Sequence, residues 1–361
     1  MNFMFNLDSL LRENIKRLVP YSSARDEFKG EASVFLDANE NSFGSPLPVN
    51  YNRYPDPMQW KLKYKLADVK GVPPQNIFIG NGSDEAIDVL FRAFCNPGGR
   101  DNVVLCPPTY GMYEVSAHIN DVTIRKVSLT PEFQLDIAGL QQAVDENTKL
   151  IFICSPNNPT GNSIHRADIE LLLNNFDGIV VIDEAYINFS RQKSFIQELT
   201  EYPNLVVLQT LSKAWGLAAL RIGMAFAGED IIHVFNKVKP PYNIGQATQE
   251  LALQALDNVT RVNEWIREIV IERDLLSASL EQLPAVLEIY PSDANFILVK
   301  TTDAKGIYQY LTEHGIVVRD RSKVELCMGC LRITVGTPEE NLRLLEVLKT
   351  YQVKTETPVS A

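Results

Sequence analysis

The sequence predicts an α/β fold, with a large domain on a mostly parallel sheet flanked by helices and a smaller α+β domain after it. Three observations lead there. Between residues 77 and 227, short and continuously apolar segments alternate with helical patterns, as a sheet covered on both faces requires. Beyond Gly228 helical spacing dominates to about residue 283, and a shorter stretch of alternating strand and helix patterns follows. The length, 361 residues, exceeds one ordinary core, so two domains or one large α/β unit are expected.

Taken in order, residues 8–18 space Leu and Ile as a helix does, and the polar arm YSSARDEFKGEAS follows. Residues 41–59 are rich in Asn, Pro and Tyr and exclude regular structure. A helix is expected over 60–70, stopped by Gly71 and two prolines. Apolar strands are expected at 77–80, 103–106, 123–129, 150–154, 179–182, 205–209 and 222–227. Helical patterns fall between most of them, for example at 84–95 and 111–119. In the last third, strands are expected at 295–300, 315–320 and 331–336, with helices at 304–314 and 338–350 and one sheet face open to water. The expected division is an N-terminal arm over 1–45 contributing to the small domain, a large domain over 46–258, and a small domain over 259–361.

Composition narrows the function classes. Hydrophobic residues make up 45% and charged residues 22%, the balance of a folded soluble protein. A net charge of −11 without any Lys/Arg-rich block argues against a nucleic-acid partner. The start lacks a basic segment leading into an apolar one, and the longest apolar runs reach about half a membrane span. Neither secretion nor a membrane is expected. The five cysteines (Cys95, Cys106, Cys154, Cys327, Cys330) are scattered and mostly set in apolar runs, reading as reduced core thiols of a cytoplasmic protein. Cys327 and Cys330 form a single CxxC in a chain with four histidines, so no metal site is expected.

The chemistry concentrates at strand ends. In a parallel sheet, ligands sit beyond the carboxyl ends of the strands. There the sequence places Asn81, Gly82, Ser83 and Asp84, then Tyr110, Asn158, Asp183, and Ser212 with Lys213. Lys213 lies in the small-residue run TLSKAWGLAALRIG, and Arg221 follows eight positions later. Lysine, aspartate, asparagine and arginine in this set are what an enzyme needs to hold pyridoxal phosphate. Lys213 would form the Schiff base and afterwards act as a proton carrier, and Asp183 would pair with the pyridinium nitrogen. A phosphate would find backbone N–H groups at Gly82, Ser83 and Asp84, with Thr210, Ser212 and Arg221 as further donors. Asn158 and Tyr186 could donate to the cofactor's phenolate oxygen, and Tyr110 could stack on its ring. Each has a plainer alternative: GNGSDE as an ordinary helix start, Asp183 as a capping or arginine-paired carboxylate, Lys213 as a solvated lysine, the tyrosines as core.

Over nearly its full length the chain resembles the fold-type-I, class II PLP-dependent aminotransferases, and within them the branch acting on histidinol phosphate. The residues that carry this are LVPYSSAR (18–25), DANEN (37–41), NRYPD (52–56), GNGSDE (80–85), CPPTYGMY (106–113), CSPNNPTG (154–161), VIDEAY (181–186), TLSKAWGLAALRIG (210–223), GIVVRD (315–320) and LRITVGTPEEN (331–341). The resemblance implies a homodimer with active sites at the subunit interface, where Tyr54 reaches the cofactor phosphate of the other subunit. It implies the exchange of imidazole-acetol phosphate and glutamate for histidinol phosphate and 2-oxoglutarate. It also implies that Arg332 grips the glutamate carboxylate, and that Arg332, Arg319 and Tyr21 meet the substrate's phosphate. Asn158 is expected to contact substrate as well as cofactor. Two departures stand out: Trp215 where many relatives carry phenylalanine, and Arg321, which adds a charge beside Arg319 and Asp320. The rival readings are an aminotransferase for aromatic amino acids, a PLP-dependent amino-acid-phosphate decarboxylase, and a cofactor-binding domain kept for regulation.

Overall fold

The computed structural model describes residues 5–22 and 33–352. Seven strands form the main sheet: β1 (Ile77–Asn81), β2 (Asn102–Leu105), β3 (Thr123–Lys126), β4 (Thr148–Cys154), β5 (Ile179–Asp183), β6 (Leu205–Thr210) and β7 (Ile222–Ala227). Their spatial order is β1-β7-β6-β5-β4-β2-β3. The β6-β5-β4-β2-β3 portion is parallel, whereas β7 runs antiparallel to both of its neighbours.

Side chains alternate across a strand, so each strand feeds two cores. On one face Val104, Ile151, Ile153, Val180, Ile182, Val207 and Met224 join a large apolar cluster. On the other, Val103, Leu105, Leu150, Phe152, Val181, Val206 and Ala225 join a second cluster. That is why these strands read as unbroken apolar runs. The helix Ser83–Phe94 closes the second face with Ile87, Leu90, Phe91 and Phe94, all fully buried. Leu10 and Ile15, from the short helices Leu7–Leu10 and Glu13–Arg17, join the same core. The expected single helix over 8–18 is thus two short ones, and they pack on the main sheet, where the arm was expected to serve the small domain.

The reversal of β7 has a chain-length cause. A parallel return needs a crossover of a dozen or more residues, usually helical. Between β6 and β7 there are only residues 211–221, carrying one 3-10 turn, Ala218–Leu220. The chain therefore doubles back, and the start of β7 lies at the same edge as the ends of β1 and β6, to both of which it is antiparallel.

A second sheet contains β8 (Val286–Ile289), β9 (Phe296–Thr301), β10 (Arg319–Asp320) and β11 (Cys330–Thr334), in the antiparallel order β10-β11-β9-β8. Ile297, Val299, Leu331 and Ile333 meet the helices Ala304–Glu313 and Pro338–Lys349 in a third core. The latter helix starts firmly: Pro338 follows Thr337, whose side chain exchanges hydrogen bonds with Glu340 in a capping box. Two expectations change here. The strand expected at 315–320 shrinks to its last two residues, and β8 was not foreseen because Val286–Ile289 is short and half-exposed. The open sheet face was also wrong for β9: Phe296 and Leu298 point to the main core and are buried there. The 23-residue helix Val259–Glu281 joins the two regions. Val262 belongs to the main core, and Leu276 and Leu280 belong to the third.

Candidate active site

A cavity of about 690 Å3 opens where the edge of the main sheet meets the second sheet. The ends of β1, β5 and β6 and the start of β7 deliver Gly82, Asp183, Ser212 with Lys213, and Arg221 to it. Ser83, Asp84, Tyr110, Asn158, Tyr186 and Thr210 complete the main-sheet side, and Arg319 and Arg332 line it from the second sheet.

The end of the cavity around Gly82 and Arg221 is built on close backbone contact. Gly82 has φ +73°, a conformation that side-chain-bearing residues rarely adopt, and a Cβ there would lie 2.5 Å from Arg221 Nη2. Gly223 allows β7 to lie against this turn, since a Cβ on it would come within 2.0 Å of Ser83 N. The first turn of the helix Ser83–Phe94 thus presents its N–H groups to the cavity beside Thr210, Ser212 and Arg221. Thr210 Oγ1 donates to Ser212 Oγ (3.0 Å), and Arg221 Nη1 donates weakly to the same oxygen (3.5 Å). Arg221 Nη2 also lies 3.4 Å from Asp84 Oδ2, and Tyr110 donates its hydroxyl to Asp84 Oδ1 at 3.1 Å. A carboxylate cannot donate to a phosphate, so the donor that Asp84 offers is its backbone N–H.

Deeper in the cavity, Asp183 is only 3% exposed. Its Oδ2 accepts from the Tyr113 hydroxyl at 2.7 Å and its Oδ1 from Ala185 N at 3.0 Å. Burial pushes its pKa above the usual aspartate range, against the pull of those two donors, with Asp84 adding to the push and Lys213 opposing it. Among the described residues no cation lies within ion-pair distance of Asp183. A buried carboxylate with neutral partners fits a protonated ring nitrogen, whose charge would offset the lost hydration.

Lys213 sits on a tight turn closed by a hydrogen bond from Gly216 N to Lys213 O (3.0 Å), with Gly216 at φ +65°. Its amine is reached from the cavity and lies 5.6 Å from the centre of the Tyr186 ring. Burial lowers its pKa, the Arg332 charge and then Arg221 lower it further, and Asp183 and Asp84 act in opposition. The surroundings therefore make the amine easier to deprotonate than an ordinary lysine, the direction a nucleophile requires. Tyr186 is buried and packs edge-on against Phe296 at 5.1 Å. Asn158 accepts from Arg332 Nη1 at 2.5 Å, which turns its amide nitrogen towards other partners.

Two expected residues lie elsewhere. Tyr54 lines a separate cavity with Glu40 and Gln246, and its ring stacks on Tyr242 at 4.5 Å. Tyr21 is 73% exposed and does not line the main cavity. Of the motif around it, Ser23, Ala24 and Arg25 lie outside the described residues. Conversely, Tyr113 is a residue of the site that the sequence gives no reason to single out. It is fully buried, its ring stacks on Phe152 at 4.9 Å, and it meets Tyr110 edge-on at 5.5 Å. A tyrosine on an apolar helix face reads as core, and it is core. Only its position three residues after Tyr110 hints that its hydroxyl faces the site. Behind Asp183, Glu184 is buried among the Ser194 hydroxyl, Phe195 N (2.8 Å) and Gln209 Nε2 (2.9 Å), fixing the β5 end from the opposite side.

The profile of the family described as "Aminotransferase class I and II" matches residues 41–348. A histidinol-phosphate aminotransferase from Cytophaga hutchinsonii is 58% identical over 347 residues, covering 96% of this chain and 99% of the relative. Another from Parabacteroides distasonis is 56% identical, covering 97% of this chain and all of the relative. Among solved structures, the Sinorhizobium meliloti histidinol-phosphate aminotransferase in complex with pyridoxal-5'-phosphate superposes with a TM-score of 0.75 at 26% identity, covering 86% of this chain and 89% of that one. With its profile match spanning both sheets and its full-length relatives at this identity, the chain belongs to the class I and II aminotransferase family.

Proposed function

We infer that this chain is a pyridoxal-phosphate-dependent histidinol-phosphate aminotransferase, interconverting imidazole-acetol phosphate plus L-glutamate and L-histidinol phosphate plus 2-oxoglutarate. The reading rests above all on one cavity that holds both Lys213 beside a buried Asp183 and a pair of arginines able to receive an anion. Bound there, pyridoxal phosphate supplies an aldehyde that condenses with amines and a ring that withdraws electrons from the bond being broken. Asp183 would hold the ring nitrogen, and Asn158 and Tyr186 the phenolic oxygen. The Gly82–Ser83–Asp84 backbone, Thr210, Ser212 and Arg221 would hold the phosphate, and Tyr110 would cover the ring.

The chain's own part is positioning and proton transfer. Lys213, whose pKa its surroundings lower, would act as the base for the proton on the substrate's Cα, work worth roughly 10²–10⁴-fold. Arg332 and Arg319 fix the far end of the substrate. They are cross-strand partners on β10 and β11 and so point the same way. Arg332 is held by its bond to Asn158, and a planar fork accepts carboxylate and phosphate alike. Arg332→Ala is expected to raise the KM for glutamate by about 10- to 100-fold, the loss of a charge-assisted pair, with kcat less affected. An unchanged glutamate KM removes Arg332 from this role.

A homodimer belongs to the same reading. Val34, Leu36, Phe43, Leu47 and Val49 are all exposed on one stretch, apolar surface of the kind that a partner covers. Tyr54 lines a cavity other than its own chain's main one, in keeping with a role in the other subunit's site. Sedimentation velocity checks this, and a monomer at micromolar concentration sinks it. Location in the cytoplasm is supported by five free, buried cysteines. No helix among the described residues is long and apolar enough to cross a membrane.

The deciding experiment scores amino donors by keto-acid formation. L-Histidinol phosphate should exceed phenylalanine in kcat/KM by at least about 10³-fold, as a site built to hold a phosphate dianion and an imidazole disfavours a donor with a singly charged carboxylate and an apolar ring. Equal use of both favours the aromatic aminotransferase, and carbon dioxide release favours the decarboxylase.

A further inference from the structure

We propose that Arg321 is a third guanidinium of the subsite that receives the substrate's distal anion, and that it makes this subsite select a phosphate dianion over a carboxylate. The inference deepens the functional reading above and rests on it for the presence of a phosphate-bearing substrate.

The placement follows from the strand ladder. Arg319 pairs with Arg332 and Asp320 with Leu331, and Arg321 N continues the ladder by donating to Cys330 O at 2.9 Å. Side chains alternate along a strand, so Arg321 returns to the face that Arg319 and Arg332 occupy, while Leu331 points into the third core. All three arginines line the one cavity. Among the described residues, none of them has a carboxylate within ion-pair distance. Arg321 Nε is moreover buried without a hydrogen-bond partner, and a buried guanidinium N–H left unpaired is costly unless a ligand satisfies it. Its charge is disfavoured first by burial and then by Arg332 and Arg319.

Three like charges facing one half-buried cavity call for an anion of more than unit charge. A carboxylate has two oxygens, which the forks of Arg332 and Arg319 can satisfy. A phosphate monoester has three terminal oxygens and nearly two negative charges, enough to engage a third fork. Arg321 would thus contribute little when glutamate occupies the site and much when the phosphorylated substrate does. That asymmetry is useful in an enzyme whose two substrates share one pocket.

The test uses the holoenzyme as wild type, Arg321→Gln and Arg321→Lys, following the glutamate half-reaction by absorbance with inorganic phosphate as competitor. Arg321→Gln should raise the phosphate inhibition constant by about 10- to 100-fold while changing the glutamate KM by less than about threefold. The KM for histidinol phosphate should rise with the phosphate constant, and Arg321→Lys should recover part of both effects by restoring the charge without the fork. The visible absorbance of the bound cofactor and an unchanged melting temperature report that each variant is folded and loaded. An unchanged phosphate constant overturns the inference, as does an equal rise in the glutamate KM, which marks a general effect on the pocket. Wild-type enzyme that uses glutamate but not histidinol phosphate overturns the functional reading instead, and the phosphate constant still decides the role of Arg321.

Discussion

Replacing Lys213 with alanine is expected to remove the visible absorbance of the reconstituted protein and to lower turnover by at least about four orders of magnitude. No other amine can do its work. Among the described residues Lys213 is the lysine lining the main cavity, and the other cations there are guanidinium groups that stay protonated. Stability should move little, and the sign can be worked out. The pKa of Lys213 is lowered in the folded chain, so the unfolded chain binds its proton more tightly. This residue therefore opposes folding at low pH, and its opposition fades as pH rises towards the unfolded lysine value. The cofactor-free alanine variant should then melt no lower than cofactor-free wild type near neutral pH. A variant that keeps colour and turnover, or that is inactive because it is unfolded, refutes this account of Lys213.

Asp183→Ala is expected to slow proton abstraction by about 10³-fold or more while the protein still takes up pyridoxal phosphate, because Lys213 and the phosphate donors are untouched. The variant also leaves the Tyr113 hydroxyl buried without its acceptor, a penalty of about 1–3 kcal/mol. Against that, it removes a carboxylate whose burial is unfavourable. The two effects oppose each other, so the melting temperature of the cofactor-free variant should change by only a few degrees. Near-normal turnover would take Asp183 out of the mechanism. A collapse in stability would make it a structural residue first.

Much of this was legible in the residues. The main-sheet strands are fully buried, and such strands announce themselves as apolar runs, so the edge at which the site forms could be placed before any geometry was known. Lys213, Asp183, Asn158 and Arg221 meet there because each lies at a strand end or start. The direction of β7 was not legible in apolar content, which is the same for either direction. The short link over 211–221 carried that information instead. Tyr113 escaped because a buried ring on a helix gives no sign of where its hydroxyl ends. Arg321 was visible as an added charge, and counting two from Arg319 along the strand would have put it in the site. Tyr21 and Tyr54 lie outside the main cavity of the described chain, and local pattern says nothing about where they sit.

The hydrogen bond between Arg332 and Asn158 is a direct polar link across the cavity between the side that bears Lys213 and the sheet that bears Arg319 and Arg332. On the proposed roles, reactivity and recognition are stored on separate supports. Sequence drift confined to 319–332 could retune which molecules are admitted without touching the machinery that transforms them. An engineer randomising that hairpin alone, with Arg332 and its contact preserved, should recover altered selectivity on an otherwise intact transaminase.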